Sequence, residues 1–549
     1  MASSLRALSQ AELAPAPPPR GKELAGATLL FAAMAFVVFG WYAFHGPFVA
    51  DDWVNASRYY LHPGSGFWDA VQNYQTPSRP VAAVYVTLTY AVLGMHMHQH
   101  LVLSVLLAAF LSSAFFAFLR TLGLGTTLAL AAAALLLVFP SSDSTRLWST
   151  GSQINLFIGL YLVAVVIAIA GRRRFGPEPT FPAVAVQALA SALAVTAVAG
   201  YEIVAPAVLL SVFLYRWIDP RGAAWRWLLD AIPTLLVLWF FTRQFREGGQ
   251  GENLLTNLRL VADGGLSVLS YSLIPSREVS RWLVLGGVAA ILSGGLVAAR
   301  YAGSTSTRKA IARWSAPIGL AVFCIAIGYV MLVPAGAAYP VYSPGVENRV
   351  NCFAALGICL FVVLFATALA TMVAAAVPRL SDTARSWVRA IVAGAMILGL
   401  IGVYTVRVNE DADRWRTVVQ YQPAILASAH ELVPSPPPDA TIFTSGFPGY
   451  AAPGIPIFGG GGNNDELSAF MVSYDMPGIR AFPLLDQIGV NCGALRISTP
   501  DAPNSGTRYG KASLIDPIAH RVYRPRGQRQ CRKISESIPF GPSYLSGGW

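Results

Sequence analysis

Phe48-Val49-Ala50-Asp51-Asp52-Trp53 stands just after the first long apolar segment of the chain. Two adjacent carboxylates where a chain leaves a membrane are costly unless they are solvated, paired or used in chemistry. The apolar run before them, about 26–44, is close to the ~20 residues that cross a bilayer. No small-residue cleavage site follows it, so it reads as a retained signal anchor. Arg6, Arg20 and Lys22 precede it and mark the cytoplasmic side, which places Asp51 and Asp52 outside.

Composition agrees with a membrane scaffold around this pair. The 549 residues are 54% hydrophobic and only 12% charged, against roughly 25% charged in a soluble domain. The net charge of +11 does not indicate nucleic acid, because Arg is concentrated in short loops between apolar runs, where it sets orientation.

Residues 80–95 decide the topology. They are apolar but short, and five residues separate them from the run at 101–119. If they span, the later basic clusters fall outside: Arg120, Arg172 to Arg174, Arg216 to Arg226, Arg300 to Arg313 and Arg379 to Arg389. If they lie in the interface, those clusters fall inside, as the positive-inside bias requires. The first external loop then covers 45–100 and carries two interfacial helices, at 66–75 and 80–95. Spans follow at 101–119, 123–140, 153–171, 181–199, 201–217, 228–243, 283–300, 315–334, 350–377 and 388–405. With the first, that makes eleven.

Residues 1–24 are Pro-rich and basic and predict a disordered cytoplasmic tail. The membrane module covers 25–405. Residues 406–549 predict a small extracytoplasmic α/β domain, with a helix over Asp411 to Leu432 ended by Pro434-Ser-Pro-Pro-Pro438 and a strand at Thr441 to Thr444. Cys492 and Cys531 both lie there, and an oxidising compartment allows a disulfide between them, the alternative being two buried thiols. Cys324, Cys352 and Cys359 sit in apolar runs and read as packing residues. The Gly459–Gly462 run lacks the Lys-Ser/Thr of a phosphate cradle.

The chemistry-bearing residues gather at the external ends. A carboxylate beside a hydroxyl acceptor can act as general base; the plainer reading of Asp51-Asp52 is a solvated pair, weakened by Trp53, Arg58, Tyr59 and Tyr60 just after it. Arg79 can brace an acid or grip a phosphate, or simply snorkel at the interface. The stretch Pro140 to Gln153 brings Asp143, Arg146 and Trp148 between two spans. Glu202, after Gly200-Tyr201, is an acid flanked by apolar runs, a site candidate or a structural partner of Asn or Arg. Tyr339 to Arg349 includes Tyr342, and Arg349 is placed for a lipid phosphate or for pairing with Glu347 or Asp51. His96, His98 and His100 alternate but lack a carboxylate cluster, so three interfacial histidines are the better account than a metal site.

This layout resembles the GT-C superfamily of membrane glycosyltransferases, such as protein O-mannosyltransferases, the aminoarabinose transferase of lipid A, and bacterial arabinosyl- and glucosyltransferases. The shared features are a first span, an acidic pair opening a large external loop, two interfacial helices, and a bundle with a soluble tail. The resemblance covers about 26–405 in layout, and its hard motif is the Asp pair. It implies that Asp51 is catalytic and Asp52 its partner; Arg349, Arg58, Arg79, Arg146, Glu202 and Tyr342 are, from their own type and position, the candidates around donor and substrate. It implies a polyprenyl-phosphate sugar donor, inversion at the anomeric carbon, and an extracytoplasmic glycan, lipid or protein acceptor, in a bacterial inner membrane. Tyr201 stands where the family pattern has Lys before Glu. Metal use varies across these families, so a divalent cation is left open and none is assigned. Two other classes remain: a flippase for lipid-linked glycans, although transporters place charges near the midplane, and a polymerase or ligase with a lipid-diphosphate donor.

Overall fold

Apolar runs near 20 residues become helices because the bilayer leaves no other partner for backbone N–H and C=O groups. The computed structural model describes residues 19, 21–61, 67–72, 79–245, 254–276, 279–289, 293, 305–334, 340–375, 377, 381–458, 465–485, 490–498 and 506–541. Among the described residues, seven helices are long and apolar enough to cross a membrane: Gly21–His45, Met97–Thr121, Thr150–Phe175, Phe181–Gly200, Ala223–Phe240, Gly345–Ala375 and Thr383–Leu432. The protein is thus mostly helical and fit for membrane integration, with a small sheet region at its C-terminal end.

The remaining expected spans differ in ways the residues explain. Helix Thr126–Leu137 has 12 residues, about 18 Å at 1.5 Å per residue, short of a ~30 Å core. The run at 201–217 is broken into Glu202–Val204, Ala205–Leu209 and Ser211–Ile218, with Pro206 unable to donate to a continuous helix. The run at 283–300 falls largely outside the described residues, as do the N-terminal tail, Tyr339 and the Gly459–Gly462 run. Helix Leu254–Leu273 escaped the sequence reading because Arg259 and Asp263 interrupt its apolar stripe.

After the first long helix, helices Phe67–Gln72 and Pro80–Leu93 fall within the two segments read as interfacial. At the other end of the bundle, Glu23 accepts from Arg120 Nε at 2.7 Å and from Thr126 Oγ1 at 2.8 Å.

Helix Asp382–Leu432 runs unbroken for 51 residues, so the expected boundary at 405 falls inside it. Its first half belongs to the bundle. Its second half carries the i,i+3 ion pairs Arg407–Glu410, Arg414–Asp411 and Arg416–Asp413 and packs on the tail domain. There, strands β1 (Thr441–Thr444), β4 (Arg480–Pro483), β8 (Ala512–Asp516) and β9 (Arg521–Tyr523) form one sheet in the order β4-β1-β8-β9. β1 is parallel to both neighbours, and β9 closes the edge antiparallel to β8. A hairpin of β2 (Tyr450–Ala452) and β3 (Ile455–Pro456) and a small sheet of β5 (Asn491–Cys492), β6 (Arg496–Ser498) and β7 (Thr507–Arg508) complete it. Cys492 is disulfide-bonded to Cys531, tying β5 to helix Gln528–Ser537.

Candidate functional site

The acidic pair opens helix Asp51–Tyr60, where the N-terminal end of the helix dipole favours negative charge. The residue before it, Ala50, has φ 50°, a left-handed conformation that costs a non-glycine residue about 1 kcal/mol or more. The strain persists because both sides are pinned. Trp148 Nε1 donates to the Val49 carbonyl at 3.0 Å, and Val49 N–H donates to Asp52 Oδ2 at 3.1 Å.

The two acids have different surroundings. Asp52 is fully buried. Its Oδ1 accepts from Thr150 N–H at 2.8 Å and Thr150 Oγ1 at 2.6 Å, and its backbone carbonyl accepts from Tyr90 at 2.7 Å. Burial pushes the carboxyl up to about 7, against the opposing pull of the Thr150 and Val49 hydrogen bonds, with the charge of Asp51 adding to the rise. Asn55, one turn on, donates to Thr150 Oγ1 at 3.1 Å. Asp52 therefore joins the segment after the first helix to the segment before helix Gln153–Phe175, and Asp51, half-buried, is the more solvent-accessible member of the pair.

The second loop is held in turn by the one before helix Cys352–Ala375. Asn348 Oδ1 accepts from Ser144 N–H at 3.1 Å and Ser144 Oγ at 2.6 Å, while its Nδ2 donates to Asp143 Oδ1 at 2.6 Å. Asn351 donates to the carbonyls of Ser141 and Val341, both at 2.9 Å. These asparagines bring Arg349 to the face of Trp148, with the guanidinium carbon 5.2 Å from the ring centroid. One of its nitrogens donates to the Val346 carbonyl at 2.7 Å. Among the described residues Arg349 has no carboxylate partner.

The other sequence candidates take distinct places. Arg79 and Glu202 form a two-pronged ion pair, with Nε to Oε2 at 2.7 Å, and Arg79 also lies over the Tyr201 ring at 4.7 Å. This pair ties the first loop to the broken helix. Glu202→Ala is expected to leave Arg79 in a partly buried setting without its carboxylate, lowering stability by about 1–3 kcal/mol; thermal melts of the purified protein check it. Arg146 departs from the expected donor-binding role. It is buried, donating to the Ser142 carbonyl at 2.6 Å and the Leu136 carbonyl at 2.5 Å. It thus caps orphan carbonyls after helix Thr126–Leu137. Arg58 is half-buried beside Asn55, Tyr59 and Tyr90. Tyr342 is exposed and lines a pocket with Tyr271, Ser343, Asn348 and Asp411.

Asp143 and Asp411 bring a second pair of acids together, one on the second loop and one on the long helix. Burial first, and then the charge of Asp411, hold Asp143 well above the usual carboxylate range, although the Asn348 hydrogen bond opposes this. His100 is buried, its Nε2 2.8 Å from the Gly94 carbonyl, in keeping with a packing role. No group of three His, Cys, Asp or Glu side chains forms a metal-binding cluster among the described residues.

The tail domain completes the site. Helix Asp465–Tyr474 packs on the acid-bearing helix. Trp53 Nε1 donates to Gln422 Oε1 of the long helix at 3.4 Å, and Gln422 donates to the Ile457 carbonyl at 2.7 Å. Val346 N–H, three residues from Arg349, donates to the Gly454 carbonyl at 2.7 Å. Among the helices lies an apolar cavity of about 520 Å³, lined by Tyr161, Leu214, Phe323, Ile327, Phe353 and Leu356 among others. Phe353 follows Arg349 by about one helical turn.

The chain matches no family model and no curated protein. Its function is therefore argued from the site alone. Sequence reasoning missed Thr150, Asn55, Asn348 and Gln422, whose only signal was polarity at the ends of apolar runs.

Proposed function

We propose that the protein is an inverting glycosyltransferase of the GT-C type, using a polyprenyl-phosphate-linked sugar and an extracytoplasmic hydroxyl acceptor on a glycan, lipid or protein. In this reading the short and broken helices complete an eleven-span bundle in a bacterial inner membrane, with the acid-bearing loop and the tail outside. One observation carries it. Among the described residues Arg349 has no carboxylate partner and lies against Trp148, which holds the backbone just before Asp51 and Asp52, and the bundle carries an apolar cavity that reaches Phe353, about one turn beyond Arg349.

A lipid-linked sugar phosphate asks for that combination: apolar room for the tail, a cation for the phosphate, and a base for the acceptor. Asp51 takes the proton of the acceptor hydroxyl as its oxygen attacks the anomeric carbon. The bond from that carbon to the phosphate oxygen breaks on the opposite face, and the lipid phosphate leaves with the electron pair beside Arg349. Asp52 holds the base at the mouth without touching substrate.

Purified protein in lipid nanodiscs, supplied with sugars on polyprenyl monophosphate or diphosphate, tests the reading. Transfer from the monophosphate donor is expected, with the lipid monophosphate as product. Arg349→Lys keeps charge and loses the planar fork, so donor KM is expected to rise about tenfold, the equivalent of one charge-assisted hydrogen bond. Transfer only from the diphosphate would assign a polymerase or ligase instead. No transfer from either, with movement of lipid-linked glycan across liposomes, would assign a flippase.

A further inference from the structure

The tail sheet has two differently used faces. Ile442 and Ile515 turn toward the long helix and pack with Ile425, Ala429 and Val433. Phe443 and Leu514 turn the other way, onto Cys531, Ile534 and Ile538 at helix Gln528–Ser537. The acid-bearing helix and the Val346–Gly454 contact lie on the first side, so helix Gln528–Ser537 is the layer farthest from the bundle.

That outer layer is basic. Arg529, Arg532 and Lys533 are exposed at i, i+3 and i+4, the spacing of one helix face. Arg524 and Arg526, in the segment leading into the helix, are exposed, as is Arg521 on β9. Among the described residues from 491 to 541, Glu536 is the one exposed acid, and none of these six cations has an ion-pair partner there. Their mutual repulsion destabilises the fold unless an outside charge compensates it. Orientation in the membrane does not account for them, since that bias concerns residues close to span ends.

We propose that this face binds a polyanionic polymer, a chain carrying phosphate or carboxylate groups at short repeat, on the tail's side of the membrane. Five of the six cations are Arg, whose planar fork matches both anions two-pronged. The Cys492–Cys531 bond ties the helix to the sheet, so the cations are held in place before binding, which lowers the ordering cost. A lipid surface is disfavoured because the bundle lies on the opposite side of the sheet. This inference stands apart from the transferase reading.

The test uses the full chain in zwitterionic nanodiscs, with labelled polygalacturonate, inorganic polyphosphate and neutral dextran followed by fluorescence anisotropy. At least one polyanion is expected to bind, more weakly as salt rises, and dextran is not. Changing Arg524, Arg526, Arg529, Arg532 and Lys533 together to Gln is expected to weaken binding at least tenfold. Arg529→Gln with Arg532→Gln, a smaller change kept in case the larger one misfolds, is expected to weaken it several-fold. Equal binding by wild type and both variants overturns the proposal. So does capture of vesicles containing anionic lipid with neither polymer bound.

Discussion

Asp51→Asn is expected to leave the purified protein folded while turnover falls about 10²–10⁴-fold, the usual contribution of a general base. At ~1.4 kcal/mol per tenfold that is about 3–5 kcal/mol of barrier. Asp51 is half-buried at the first turn of its helix, while its neighbour makes the hydrogen bonds that tie the loops together. An isosteric amide at Asp51 therefore removes a proton acceptor without disturbing Asp52's hydrogen bonds. Thermal melting within a few degrees of wild type, together with lost turnover, is the expected pair of results. Wild-type turnover in this variant would remove Asp51 from the chemistry.

Asp52→Asn separates the two acids. An amide offers one acceptor oxygen where the carboxylate offers two, so the Val49 or Thr150 N–H must face an NH₂ group. The mismatch is expected to lower stability by about 1–3 kcal/mol, with turnover reduced less than by Asp51→Asn. The pH dependence follows from the raised carboxyl, up to about 7 from 3.8. A raised folded value means the neutral form is the one the fold prefers. Its stabilisation is full below pH 4 and lost as pH rises through 7. Asp52→Asn, which does not titrate, is expected to flatten that slope, so the gap from wild type is wide at pH 5 and narrower at pH 8. A constant gap across this range would show that Asp52 does not titrate there.

The Asp pair and the membrane class were legible because both are local signals: two charges at the end of an apolar run, and runs of bilayer length. The pairing of Cys492 with Cys531 needed only composition and compartment. Long-range partners left no such trace. Thr150 lies 98 residues from Asp52, and Gln422 lies 369 from Trp53, so nothing in either segment announces the other. Arg146 shows how residue type misleads: an Arg between two apolar runs reads as a phosphate ligand, yet the Leu136 carbonyl at the end of the helix before it and the Ser142 carbonyl in the next turn take the guanidinium. The tail's role was hidden likewise, because a change from apolar to polar composition at 405 reads as a domain boundary although one helix continues through it.

That continuity leads to the second large effect, at the contact between tail and bundle. Gly345 and Gly454 meet backbone to backbone, both with φ 69°. A Cβ on Gly345 would lie 2.2 Å from the Gly454 carbonyl oxygen, and one on Gly454 would lie 2.3 Å from the Pro344 oxygen. Neither obstacle is a flexible side-chain end, so relief requires the two loops to part. Gly345→Ala is expected to cost about 1–2 kcal/mol for the left-handed backbone alone, and to break the Val346–Gly454 hydrogen bond as well. Arg349 lies four positions after Gly345, so the loop that carries it shifts as well. The tail is expected to become several-fold more sensitive to limited proteolysis, and transfer activity to fall at least tenfold. Gly454→Ala should give the same phenotype, and the double variant little more than either, because both break one contact. Gly510→Ala, on the same domain with open space around it, is the neutral comparison. Protease resistance equal to wild type in both single variants would mean that this contact does not hold the tail against the bundle.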